Sequence, residues 1–153
     1  MKAIVSKEFG PPSSLVYEDI EVPELKKSQI LVNVHAAGVN FPDTLIIQDK
    51  YQVKPPLPFS PGGEISGTIS AVGESITDWK VGDEVVAMTG FGGFREQVIV
   101  SAGQIYKKPS SMDFTTASCF TLTYGTSHYA LKNRGQLKEG ETLLVLGAAG
   151  GVG

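Results

Sequence analysis

The sequence predicts a mainly β body, a many-stranded barrel or sandwich, followed by helices that lead into one buried strand of an α/β unit. Three observations predict it. Through about residue 100 the chain is written in short β-branched runs separated by Gly and Pro. Strong breakers are few between residues 114 and 134, where Gly125 divides the helical text into two pieces. Residues 142–146, Thr-Leu-Leu-Val-Leu, form an apolar run of the kind found in parallel strands covered on both faces. With 18 Gly and 9 Pro in 153 residues, turns are abundant and the body leans to β.

Taken in order, strands are expected at residues 3–6, 15–22, 30–39, 63–72, 84–88 and 94–100, each bounded by turn residues. Pro11, Pro12, Pro23 and the prolines at 55, 56 and 58 interrupt pairing, because proline offers no backbone donor. Val81, Gly82 and Asp83 mark a tight turn. One short helix is expected at residues 41–48, with Asn40 as its cap, Pro42 in its first turn and Leu45, Ile46 and Ile47 facing inward. A second helical stretch opens at Ser110 to Asp113, and Gly135 closes it as the residue just past its end.

Composition narrows the function classes. Hydrophobic residues make up 41% and charged residues 19% of a chain long enough to bury a real core, so a globular domain is expected. A formal charge of −3 provides no positive field for nucleic acid or an anionic membrane surface. No stretch approaches the roughly 20 apolar residues of a membrane span, and the N-terminus lacks a long apolar leader. Cys119 is the only cysteine, so an intrachain disulfide and a Cys-rich zinc cage are excluded. A reducing cytoplasm fits these features.

The most informative segment is the last. The apolar run opens directly into Gly147, Ala148, Ala149, Gly150, Gly151, Val152 and Gly153, and a strand followed by such a turn is how a dinucleotide-binding unit begins. Small side chains let the backbone approach a pyrophosphate, whose charge the next helix N-terminus favours. The G-x-G-x-x-G pattern is matched with Ala148 at the first position, then Gly150 and Gly153. An ordinary Gly-rich structural loop is the competing reading of this segment taken alone.

Several stretches occur together in one order: Ala-Gly-Val-Asn-Phe-Pro-Asp at 37–43, Pro-Gly-Gly-Glu-Ile-Ser-Gly at 61–67, Val72-Gly73, Val-Gly-Asp-Glu-Val-Val at 81–86, Leu122-Thr123 and the terminal turn. In that order they resemble the medium-chain dehydrogenase/reductase superfamily, and more closely its quinone oxidoreductase branch, which includes the zeta-crystallins. The resemblance implies a GroES-like barrel domain over residues 1–122 and, over 123–153, the start of a Rossmann domain that binds NADPH. It implies an active site in the cleft between the two. It also implies that the chain is the N-terminal portion of a longer polypeptide, expected to be a homodimer at full length.

In the alcohol dehydrogenases of that superfamily a zinc-binding Cys stands where this chain has Asn40, and a His stands where it has Gly63. The Cys-rich lobe for structural zinc is also missing. No metal site is therefore expected, since zinc needs three or four suitably spaced ligands and His35, His128 and Cys119 do not supply them. Without a Lewis acid, reduction of an already electrophilic quinone, enone or 2-alkenal is the natural chemistry, with NADPH as hydride source.

By the same resemblance Asn40 and Thr123 lie beside the nicotinamide, while Ala148, Ala149, Gly150, Gly151, Val152 and Gly153 hold the pyrophosphate. The amide of Asn40 can donate to a developing oxyanion, or serve as a helix cap; Thr123 can bond the carboxamide, or bond back to its own helix. Asp43 is expected to orient the turn and helix start. Tyr51 is a proton donor only by proximity, and the family's frequent tyrosine is replaced by Leu45, so protonation from solvent is expected. Glu64 reads more readily as a barrel salt-bridge partner than as a site residue, and Cys119 as inert core. An enoyl-thioester reductase and a non-catalytic, crystallin-like NADPH-binding protein are the competing functions.

Overall fold

A computed structural model describes residues 1–153. Seven strands form in chain order: β1 (Lys2–Val5), β2 (Val16–Asp19), β3 (Gln29–Gly38), β4 (Glu64–Val72), β5 (Glu84–Met88), β6 (Gln97–Ser101) and β7 (Ile105–Lys107). Three helices accompany them: α1 (Phe41–Ile46), α2 (Phe114–Ser118) and α3 (Thr121–His128). The last of these runs on into a π-helical stretch, Tyr129–Arg134. The main sheet is antiparallel throughout, in the order β6-β3-β4-β5-β7, and β1 and β2 make a separate ribbon.

The alternation of the strands builds the core. Ile30 and Val32 of β3, Ile65 and Ile69 of β4, Val85 and Ala87 of β5 and Val98 and Val100 of β6 are all buried in one cluster, which Ile105 closes. Period-two patterning puts these side chains on one face and leaves Glu64, Ser66 and Thr68 on the other. Two irregularities in the β3–β4 register, one between Val34 and Ala36, bend the pair around the core. Gly67 is required there, because a Cβ at this position would lie 2.0 Å from the Asn33 carbonyl oxygen.

The polar face of β4 is roofed by α2. The ring of Phe114 stacks on His35 at 4.2 Å, and the Ser66 hydroxyl donates to the Phe114 carbonyl. Lys108 pins the loop before α2: its ammonium lies 3.0 Å from Glu84, 5.0 Å from the Phe114 ring centre, and donates to the Met112 carbonyl. His35, bonded also to Thr68, is exposed beyond these contacts.

Several expectations are refined. The 15–22 strand shortens to β2 because its only partner, β1, has four residues to offer. The 94–100 strand divides: Phe94 and Glu96 bond to β1, the Glu96 carbonyl also accepts from Val34 of β3, and the ladder with β3 begins at Gln97. β7 is unanticipated, since three residues with one buried side chain leave no readable period. The helical break falls at Cys119 and Phe120, whereas Gly125 lies inside α3. Gly135 keeps a right-handed conformation, with its N–H bonded five residues back to Ala130, and the left-handed residue is Gln136.

The largest difference concerns residues 142–146. They carry no strand ladder, and Leu144 and Leu146 are 79% and 85% exposed. A strand exists only against a neighbour that takes up its N–H and C=O groups, and no strand of this chain runs beside the segment. The expected first strand of the second domain is therefore present as sequence but not as a paired element.

Candidate active site

Asn40 lies where β3 gives way to α1. Its extended backbone makes it the N-cap, in a capping-box arrangement with Asp43. The Asp43 carboxylate accepts the Asn40 N–H at 2.8 Å and, through its other oxygen, the Gly62 N–H at 3.1 Å. Asp43 thereby ties the helix start to the loop before β4. Burial, leaving it only 4% exposed, pushes its carboxyl above the ordinary aspartate value despite those N–H donors. Its structural role is as anticipated.

The side chain of Asn40 turns toward β4. Its amide nitrogen donates to Glu64 Oε1 at 2.9 Å, and the second oxygen, Oε2, accepts the backbone N–H of Leu122 at 2.9 Å. Glu64 is 1% exposed and forms no ion pair with any residue of this chain. The barrel salt bridge expected of it is absent; the carboxylate joins the first turn of α1 to the first turn of α3. Gly38 makes room for it, since a Cβ there would lie 2.8 Å from Glu64 Oε1 and 2.6 Å from the Ser118 carbonyl oxygen. The legible sign of this role was an acidic residue starting a strand just after two glycines, with no basic residue placed to pair with it.

Thr123 follows Leu122 on α3. Its hydroxyl donates to the Cys119 carbonyl at 2.9 Å, the backward bond of a mid-helix threonine. That bond uses the single donor and leaves the oxygen free to accept. Thr123 also lines a cleft of about 160 Å³ together with Tyr124, Ser127, Gly151, Val152 and Gly153. Ser127 closes the connection by donating to the Val152 carbonyl at 3.1 Å.

The terminal turn is open on its outer side. Gly147 has a positive φ of 68°, Gly150 donates to the Gly147 carbonyl at 2.9 Å, and residues Ala148 to Gly153 are all exposed. The N–H groups of Gly151, Val152 and Gly153 have no acceptor within the chain. Small side chains and free donors are the chemistry an anionic diphosphate needs. A larger apolar groove, of about 630 Å³, lies behind the turn between Ala130, Leu131 and the side chains of 143–146.

The structure thus brings Thr123 together with Gly151, Val152 and Gly153, and links Asn40 to the same helix through Glu64. Asn40 does not itself line the 160 Å³ cleft, and Ala148 and Ala149 lie on the turn away from it. Tyr51 packs instead on Ile46, Ile47 and Phe59. Cys119 is exposed rather than core: α2 buries Ala117 and Ser118, and the chain turns outward at the next residue. His128 is exposed on α3. No three His, Cys, Asp or Glu side chains gather in a geometry that would hold a metal ion, and no helix is long and apolar enough to cross a membrane.

Residues 26–110 match the family model described as the alcohol dehydrogenase GroES-like domain. The chain is 42% identical to quinone oxidoreductase-like protein 2 homolog of Nematostella vectensis, with 99% of the chain covering 42% of that protein. It is 40% identical to human quinone oxidoreductase, with the whole chain covering 47% of that protein. A mycobacterial structure solved in complex with NADPH superposes with a TM-score of 0.90 at 34% identity, over 99% of this chain and 47% of the other. The chain spans about half the length of the curated relatives it matches. The matched family model covers more than half of the chain, and over its whole length the chain is similar to quinone oxidoreductases: it belongs to the alcohol dehydrogenase GroES-like domain family of the medium-chain dehydrogenase/reductase superfamily.

Proposed function

We propose that this chain carries the barrel domain and the opening of the cofactor domain of an NADPH-dependent, zinc-independent reductase that delivers hydride to a quinone, an enone or a 2-alkenal. The observation that carries the proposal is the meeting of Thr123 with the free N–H groups of Gly151, Val152 and Gly153 in one cleft, on a helix bonded through Glu64 to Asn40. The similarity to quinone oxidoreductases and to a structure holding NADPH supports it.

Reduced nicotinamide, when bound, supplies a hydride. The residues of this chain position it. The terminal turn would cradle the diphosphate, Thr123 would hold the carboxamide, and Asn40 would orient the ring from the barrel side. Val39 and Phe41, both exposed, flank Asn40 in sequence, and Phe120 stacks on Tyr124, which lines the cleft, with ring centres 4.6 Å apart. Exposed apolar and aromatic side chains of this kind suit a flat, conjugated acceptor. The anion left after hydride addition takes its proton from water, because no tyrosine occupies the position of Leu45. A cytoplasmic location and a homodimer belong to the same reading.

The test uses the full-length protein, NADPH and a panel containing an ortho-quinone, an alkenal and an enoyl thioester, followed at the nicotinamide absorbance. Consumption with the quinone or alkenal, unchanged by a chelator, is the expected result. Turnover of the thioester alone moves the protein to the enoyl-thioester reductases, and loss of rate on chelation overturns the zinc-independent mechanism.

A further inference from the structure

Glu64 is the most deeply buried carboxylate, and its two oxygens tie together the elements that carry the candidate residues, one accepting from Asn40 and one from the helix that carries Thr123. Both oxygens accept from N–H donors and neither faces an acceptor, which is the hydrogen-bonding pattern of an ionised group. No cation of this chain neutralises it, and the Leu122 N–H belongs to the first turn of α3, where the helix dipole favours negative charge. The space it fills is kept open by Gly38. The carboxylate accepts from the Asn40 amide nitrogen, which is thereby held inward.

We infer that Glu64 is a positioning residue and a fixed negative charge that makes the site prefer the oxidised, cationic nicotinamide over the reduced, neutral one. This rests on the reductase reading above. Loss of a hydride leaves the ring one positive charge richer and the acceptor one negative charge richer. A carboxylate one hydrogen bond behind Asn40 stabilises the first and opposes the second. The Asn40 amide uses one N–H on Glu64 and keeps its second for the ring or the acceptor.

The experiment is equilibrium binding, not turnover. Calorimetric titration of the full-length protein with NADP⁺ and, separately, with NADPH gives a ratio of the two affinities. Glu64→Gln keeps the shape and removes the charge, and the account expects NADP⁺ to weaken by about tenfold relative to NADPH, the scale of one unit charge at short range in a protein site. A merely structural role would weaken both alike. Should the Gln variant not fold, Glu64→Asp withdraws the charge by one methylene and shifts the ratio the same way, by about twofold. Both forms binding with the wild-type ratio in the folded variant overturns the inference and leaves the reductase reading intact. Failure of the wild-type protein to bind either form overturns that reading itself.

Discussion

The two sides of the candidate site are built in opposite ways. On the barrel side, the side chains of Asn40, Asp43 and Glu64 are held by four N–H bonds among residues of α1, β4, α3 and the loop at Gly62, all beside a closed apolar core. On the turn side, one backbone bond closes Gly147 to Gly150, one serine reaches Val152, and the apolar run behind it lies open. The difference teaches which half of such a site a chain can fix from its own contacts. Barrel groups are over-determined by neighbours in the same sheet, whereas the terminal turn has no paired strand of this chain beside it.

The comparison can be broken most sharply in the core. Ile65→Ala in the 153-residue chain should cost about 2–5 kcal/mol by denaturant unfolding, because a fully buried side chain leaves a cavity. A loss below 1 kcal/mol would show that the sheet is not closed as described. Gly67→Ala should cost about 1–3 kcal/mol or more, since its Cβ meets the Asn33 carbonyl oxygen and the β3–β4 pair must part. Equal stability of this variant would remove the close approach from the account.

A third outcome concerns pH. Burial holds the Asp43 carboxyl above its ordinary value of 3.8 in the folded chain, so the fold binds that proton longer than the unfolded state does. Its contribution to stability therefore falls as pH rises from about 3.8 through the raised folded value, and then levels. Asp43→Asn lacks this term, so the wild-type advantage over the variant should shrink across that window; an advantage that grows with pH would contradict the sign. Smallest of all, Leu144→Ala in the exposed run and Lys27→Ala in the surface pair with Glu74 should each stay within about 0.5 kcal/mol. A larger loss at Leu144 would mean the run is packed in solution and the two sides are more alike than described.

Much of the barrel was legible because its strands are long, alternate cleanly and end at Gly or Pro: β3, β4 and β5 form within a residue of where the sequence puts them. The cap at Asn40 and the orienting role of Asp43 were legible for the same local reason, a short polar residue, a proline and an acid in one helical turn. What the sequence hid was set by tertiary contact. Glu64 reads as an ordinary barrel acid until Leu122, 58 residues away, is seen to donate to it. Likewise the break before α3 has no glycine to announce it. Cys119, between Ser118 and Phe120 in sequence, faces out because two small residues already fill the buried face of α2. The run at 142–146 has strand composition, yet composition supplies no partner.

The central claim is that the amides of the terminal turn and the Asn40–Glu64 pair face one nicotinamide dinucleotide. A crystal structure of the full-length protein with NADPH bound tests it most directly. The account predicts the diphosphate against the N–H groups of Gly151, Val152 and Gly153, with the nicotinamide between Thr123 and Asn40. A dinucleotide seated elsewhere, with that turn bare and Asn40 touching nothing of the ring, would contradict it.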